Sequence, residues 1–444
     1  MKRNKLFSYI LAAVMTTAAA GCTSYEIEMP ENPDEPAVGR EVSTSVVYQA
    51  NPRMFAKSEC LPALTKQLDR IAGMGCDVLW VMPVCTPGEE KAVGSPYCIR
   101  DFKGVNPKYG TMADFKAMVE AAHARGMKVV LDWIANHTSW DHSWISEHPE
   151  RYEKDANGNI AQASTWTDVA QLDFSNDGTR EAMIDAMTYW IKEGGVDGFR
   201  CDYADGVPHD FWQSAIAAFR AIDPDFIMLA ESSKEAFYDD GFDMIYDWTF
   251  APALSDAFKG GKSADVFSKA AETWGKVPEG KNLLRFVFNH DTASENAVDA
   301  YYGSADAIPG AYVIAAMLHG TPMIYSSMDA DGVKGKQSFF DYRSLEWSAD
   351  KSAEFKAINA AYKATADVRR GELATYSNSK AAVFTRSIPG HTLLVMVNTT
   401  GNEVRVKTPI TLAGSDATDM IGGTEETLPS AVTLPAYGYR VYYK

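Results

Sequence analysis

Eight short apolar runs punctuate residues 45–327, separated by stretches in which apolar residues return every three or four positions. The runs are "SVVYQA" (45–50), "DVLWVMP" (77–83), "KVVLDWI" (128–134), "VDGFRCDYA" (196–204), "DFIMLAES" (225–232), "MIYDWTF" (244–250), "LLRFVFNHD" (283–291) and "TPMIYSS" (321–327). Their near-continuous apolarity predicts strands buried on both faces, as in a parallel sheet. The intervening "TMADFKAMVEAAHARG", "TREAMIDAMTYWIKEGG" and "IPGAYVIAAMLHG" read as helices, each closed by the Gly that commonly stops a helix. Eight such units predict an α/β chain folded as a closed (β/α)8 TIM barrel over residues 40–368. An open doubly wound sheet would place a Gly-rich phosphate turn after its first strand. Here "NPRMFAKSEC" follows instead.

Two regions leave this rhythm. Between the third strand and "TREAMID" lie about 40 residues rich in Trp, Asp, Asn and Gly, too long for a simple loop. They predict a small subdomain inserted at about 138–176. From residue 369 to 444 the pattern becomes "AAVFTRS", "HTLLVMVNTT", "EVRVKTP" and "GYRVYYK" with no helix between, which predicts a separate C-terminal all-β sandwich.

The N-terminus changes the setting. "MKRNK" followed by "LFSYILAAVMTTAAA" and "AAGC" has the basic, apolar and small-residue parts of a signal segment over residues 1–21. Small residues directly before Cys22 resemble a bacterial lipoprotein signal, with Cys22 as the lipidated residue; an ordinary secretory signal is the alternative. Residues 22–39 are acidic and Pro-rich and read as a tether. The expected location is the cell envelope, lipid-anchored. The chain carries −17 at neutral pH, and removing residues 1–21 takes away Lys2, Arg3 and Lys5 and no acids, leaving −20. Such a surface argues against nucleic acid as a partner and suits a neutral substrate. Five further cysteines (Cys60, Cys76, Cys85, Cys98 and Cys201) lack metal-binding spacing. They read as buried small apolar residues, with a Cys85–Cys98 pair conceivable in an oxidising compartment. A monomer is expected.

The strand ends carry the chemistry. In a barrel the C-terminal ends form the active face, and here they bear Asp132, Asn136 and His137, then Arg200 and Asp202, then Glu231, then Asn289, His290 and Asp291. Positions i and i+2 of a strand share a face, so Arg200 and Asp202 point into one space. A retaining glycosidase needs an ionised carboxylate nucleophile and a protonated carboxylic acid about 5–5.5 Å apart. A guanidinium favours the first and an apolar setting the second. Arg200 beside Asp202, and Glu231 after "FIML", predict that division.

These residues also carry a resemblance. "LDWIANH", "GFRCDYA", "LAES" and "FNHD", in that order, resemble the signature segments of the α-amylase family, glycoside hydrolase family 13. "GSPYCIRDFKGVNPKYGT" is similar to the family's stretch after the second strand, and "LPAYGYRVYY" to the end of its C-terminal domain. The resemblance implies a retaining hydrolase of α-glucosidic bonds in starch-like α-glucans or malto-oligosaccharides. It implies Asp202 as nucleophile, Glu231 as general acid/base and Asp291 as transition-state stabiliser. Arg200 would orient the nucleophile, His137 and His290 would bind sugar hydroxyls, and Tyr97 would stack on the ring. Asp132 and Asp101 would be rim residues, Asp132 the one placed to touch substrate.

Departures from the family pattern bear on specificity and on metal. Where members carry Lys-His after the nucleophile segment, this chain has Asp205 and Gly206, and "IYSSMDADG" replaces the usual segment after strand eight. The family's calcium site would use Asn136 and an aspartate, but Gln171 stands at the aspartate position. An amide is a poorer ligand for a hard cation, so no cofactor is expected to be required. "DANGN" (155–159) reads as a hairpin turn or a calcium loop. Trp133 reads as core; Trp140, Trp144 and Trp166 lie near the insertion, and Trp140 and Trp166 are candidates for sugar contact. A transglycosylase of the same family, a non-catalytic glycan-binding lipoprotein and a metal-dependent hydrolase remain the alternatives.

Overall fold

The structure, a computed structural model, describes residues 44–376 and 378–444, with the backbone of 23–25. The signal segment, Cys22 and residues 26–43 lie outside the described residues. Eight parallel strands close into a barrel: β1 (Val47–Ala50), β2 (Val78–Val81), β3 (Lys128–Ile134), β4 (Gly198–Asp202), β5 (Ile227–Ala230), β6 (Met244–Tyr246), β7 (Asn282–Phe286) and β8 (Thr321–Tyr325). Side chains alternate about each strand. Val47, Val78, Trp80, Val130, Leu229, Met244, Leu284, Phe286 and Met323 fill the barrel interior. The opposite faces of the strands meet the helices in the larger core.

Local signals set the helices. Met112–His123 begins with Thr111 and Asp114 capping one another's backbone reciprocally. Asp177–Tyr189 starts under the Asn176 side chain and runs into a π turn, Trp190–Gly194, that Gly195 ends in the left-handed region (φ 72°). Ile308–Met317 is buried at every position but Pro309, between barrel and C-terminal domain, so it shows no polar face.

The insertion after β3 is a three-stranded antiparallel sheet, His137–Ser139, Trp166–Gln171 and Gln162–Ala163, with the short helix Ser143–Glu147. Within it, "DANGN" is a hairpin turn: Asp155 accepts the backbone N–H groups of Asn157 and Asn159 at 2.8 and 2.9 Å, and Lys154 bridges to Ile160. The C-terminal domain has a seven-stranded antiparallel sheet centred on Ala381–Ile388, His391–Asn398 and Tyr439–Tyr443. It packs through Val383, Leu394 and Tyr442 against the paired strands Val404–Lys407 and Ala431–Leu434. The backbone of Thr23–Tyr25, inside the expected tether, pairs with Glu372–Thr375 at the edge of this sheet.

Three sequence expectations shift. Strand six stops at Tyr246, and Phe250 starts a helix, Phe250–Phe258. Asn289, His290 and Asp291 open a helix rather than end a strand, because the Asn289 side chain caps it, accepting the Thr292 N–H at 2.8 Å. An antiparallel hairpin, Cys85–Pro87 with Ile99–Val105, stands between β2 and its helix. Cys85 and Cys98, on that hairpin, are both free and buried, so the pairing entertained for an oxidising compartment is not made.

Candidate active site

Register places the charges. On β4, Gly198, Arg200 and Asp202 point inward, and Arg200 lies level with Asp132 on β3 and Leu229 on β5. Glu231, two residues past Leu229, therefore shares its inward face. Arg200 is fully buried and touches all three acids: Nη1 reaches Asp132 at 2.8 Å and Asp202 at 2.9 Å, and Nη2 reaches Glu231 at 2.9 Å. Its Nε donates to the Tyr246 hydroxyl at 3.1 Å. The arginine thus does not serve Asp202 alone, as the i, i+2 spacing suggests, because Glu231 arrives from the neighbouring strand at the same level.

One cation against several carboxyls decides the proton. Burial opposes the charge of Arg200, but Asp132 and Glu231 more than offset it and keep the guanidinium protonated. Burial outweighs that guanidinium at each acid: Asp132 is raised to about 6, Asp202 to about 7 and Glu231 to about 8. The expected low value for Asp202 is therefore not met; burial and the neighbouring Asp132 lift it. The order survives, with Glu231 the group that holds a proton longest.

A hydrogen-bonded chain lines the opposite wall. Gln49 Nε2 donates to His290 Nδ1 at 2.8 Å, which leaves the ring proton on Nε2. Nε2 meets the Tyr97 hydroxyl at 2.7 Å, and that hydroxyl donates to Asp132 Oδ2 at 3.2 Å. Trp80 Nε1 donates to the same oxygen at 3.1 Å. Burial holds His290 neutral, with its value lowered to about 4, and does the same at His137. Tyr97 stacks on His290 with centroids 5.4 Å apart, and Phe339 stands edge-on to both.

The predicted residues converge. Tyr97, His137, Asp202, Glu231, His290 and Asp291 line one cavity of about 540 Å³. Asp132 and Arg200 form its floor beneath them, both inaccessible to solvent. Asp101 does not belong: it lines a larger depression of about 820 Å³ with Trp144 and Arg151, which holds none of the strand-end acids. Trp133 is core, stacked on Phe102. Trp140 is tied to the Thr167 carbonyl under the Lys91 ammonium, whereas Trp166 faces the cavity. Sequence reading missed Gln49, Trp80 and Tyr246, which hold His290, Asp132 and Arg200 in place. Gln49 had a signal, a polar residue inside an apolar strand; the other two read as ordinary core aromatics.

Beside the cavity, Asn136 and Gln171 pair reciprocally. Gln171 Nε2 donates to the Asn136 carbonyl, Asn136 Oδ1 and the Leu172 carbonyl, all at 3.1 Å, and Asn136 Nδ2 returns a bond to Gln171 Oε1 at 3.3 Å. An N–H donor therefore sits among the oxygens a cation would need.

A parallel barrel with paired carboxylates around a guanidinium at its C-terminal rim is the architecture of a carboxylate glycosidase. The family model for the alpha-amylase catalytic domain matches residues 52–168 and 161–413. The chain belongs to the alpha-amylase family. It is 28% identical over 400 residues to alpha-amylase MalA of Haloarcula japonica, a match covering 85% of this chain and 58% of that protein, so it spans little more than half of that relative's length. It is 23% identical to a cyclomaltodextrinase of Geobacillus thermopakistaniensis, over 86% of this chain and 70% of the relative. A crystal structure of an alpha-amylase from Lactobacillus plantarum superposes with a TM-score of 0.79 at 26% identity, covering 91% of this chain and 99% of the other.

Proposed function

We propose that the protein cleaves α-glucosidic bonds in starch-like α-glucans or malto-oligosaccharides by double displacement, with retention. The observation that carries this reading is the single buried guanidinium of Arg200 bridging Asp202 and Glu231, which brings two carboxyls of unequal proton affinity to one cavity. Asp202 attacks the anomeric carbon while Glu231 protonates the glycosidic oxygen. The leaving sugar departs, and a glycosyl ester on Asp202 remains. Glu231, now a carboxylate, takes a proton from water, whose oxygen displaces Asp202 from the opposite face. Asp291, 35% exposed at the N-terminal turn of its helix, faces the developing positive charge on the ring. His137, His290 and Tyr97 position the sugar, and Asp132 holds Arg200 and Tyr97 in line.

Catalysis in this reading needs no calcium. Its support is the Gln171–Asn136 amide pair, whose N–H group already satisfies the converging oxygens. The apolar and small-residue approach to Cys22 supports a lipid-anchored protein of the cell envelope. The test of the catalytic assignment is turnover of malto-oligosaccharides by D202N and E231Q. Each is expected to lose at least about 10³-fold in kcat, of the order general acid and nucleophile contributions reach. Parental rates in either variant would overturn it.

A further inference from the structure

The depression of about 820 Å³ lies outside the cavity of Asp202 and Glu231, and the proposed mechanism uses none of its residues. Three elements meet there. The hairpin strand Ile99–Val105 supplies Phe102, the short helix Ser143–Glu147 of the insertion supplies Trp144, and the helix Asp177–Tyr189 supplies Glu181 and Asp185. The insertion therefore presents two lined faces. His137, Trp166 and Val169 turn to the cavity of Asp202, whereas His142, Trp144 and Arg151 turn to the depression.

Aromatic rings make its floor. Phe102, His142 and Trp144 meet with centroids 4.7 to 5.5 Å apart, and the buried Trp133 stacks on Phe102. Most charges on the walls are already answered: Lys103 reaches Asp185 at 2.6 Å, and Arg100 reaches Glu89 at 2.8 Å and Asp141 at 3.8 Å. Arg151 is the exception. Its guanidinium carbon lies 4.7 Å from the centre of the Trp144 ring, and its Nε is buried without an acceptor. No carboxylate among the described residues is in ion-pair contact with it. His142 adds a neutral donor. Its Nδ1 accepts the Trp144 N–H at 3.1 Å, which leaves the ring proton on Nε2, and burial holds the ring uncharged, its value lowered to about 4.

This lining selects by charge. An anion drawn to Arg151 would also face Asp101, Glu181 and Asp185, and a cation drawn to those acids would face Arg151. A neutral molecule with apolar faces and hydroxyl edges meets neither penalty: its C–H faces lie on the rings, and its hydroxyls bond to Arg151, His142 and the carboxylates. We propose that the depression is a second glucan-binding site, which holds one stretch of a long chain while another stretch enters the cavity of Asp202. This rests on the α-glucan substrate proposed above. Two contacts on one polymer make the second intramolecular, so a long chain gains an apparent affinity that a short one does not. Maltotriose occupies one site at a time; amylose reaches both.

The test compares amylose with maltotriose as substrates of the full chain and of its W144A, R151A and W144F variants. Both alanine variants are expected to raise KM for amylose about tenfold, the loss of one ring or one charged hydrogen bond. Their kcat on amylose and their kcat/KM on maltotriose are expected to stay parental, and W144F, which keeps a ring, is expected to retain the parental KM. A parental KM for amylose in both W144A and R151A would overturn the second site and leave the hydrolytic reading standing. An equal fall on maltotriose and amylose would also overturn it, because the change would then lie in the cavity or in the fold. A parent that turns over neither glucan, yet is depleted from solution by starch granules less well as W144A and R151A, would remove the hydrolytic reading and leave the site.

Discussion

Gln49 sits in β1 with no solvent exposure, and its amide ends on Nδ1 of His290. That single bond fixes which ring nitrogen carries the proton, and through Tyr97 it reaches Asp132 and then Arg200. The acids are therefore held by a continuous polar network rather than by pairwise contacts, a placement that burial makes costly to leave partly satisfied. The proton count of this network sets the pH response. In the proposed mechanism the reactive form has Asp202 charged and Glu231 protonated. With Asp202 raised to about 7, activity falls as pH drops below that value; with Glu231 raised to about 8, it falls as pH rises above it. A bell-shaped profile of kcat/KM with its maximum between about 7 and 8 is expected, the two limbs belonging to the coupled set of carboxyls. A rate still rising at pH 10 would contradict the protonated acid.

At the scale of elements, the barrel strands were legible because a strand buried on both faces has to be apolar throughout. Polar residues clustered at one end of such runs then mark the active rim. The hairpin Cys85–Pro87 with Ile99–Val105 was not legible: "IRDFKGV" mixes exposed and buried positions without an apolar run, and its pairing has register shifts. Nor could the sequence reveal that Glu231 reaches Arg200, since that depends on the stagger between β4 and β5. Arg53, buried, ties two loops of the cavity wall by donating to the carbonyls of Gly94 and Phe340 at 2.8 and 3.0 Å, a contact between segments far apart in the chain. The insertion is fastened to the barrel by the Gln171–Asn136 pair, and this yields an element-scale test. The melting temperature of the parent is expected to be unmoved by EDTA. Q171D, which replaces the donor amide with a carboxylate, is expected to melt lower and to recover on adding calcium. A parental melting point that drops in EDTA would contradict the role given to the amide.

For the whole molecule, the acidic balance and the N-terminal segment describe one setting. A chain at −20 after loss of residues 1–21 repels anionic polymers and is compatible with the neutral glucan proposed as its substrate. The C-terminal sheet domain packs on Ile308–Met317 and joins the barrel through a shared core. Attachment through Cys22 is proposed from the sequence; among the described residues no helix is long and apolar enough to cross a membrane. A C22A chain is expected to leave the membrane fraction and to lose palmitate labelling; labelling that persists would place the anchor elsewhere.

Asp202 is proposed to carry the sugar between two inversions at the same carbon. Proton NMR of the earliest product released from a malto-oligosaccharide, read before mutarotation, tests it most directly. Two displacements predict the α-anomer as the first product. The β-anomer would mean a single displacement by water and would rule out Asp202 as nucleophile.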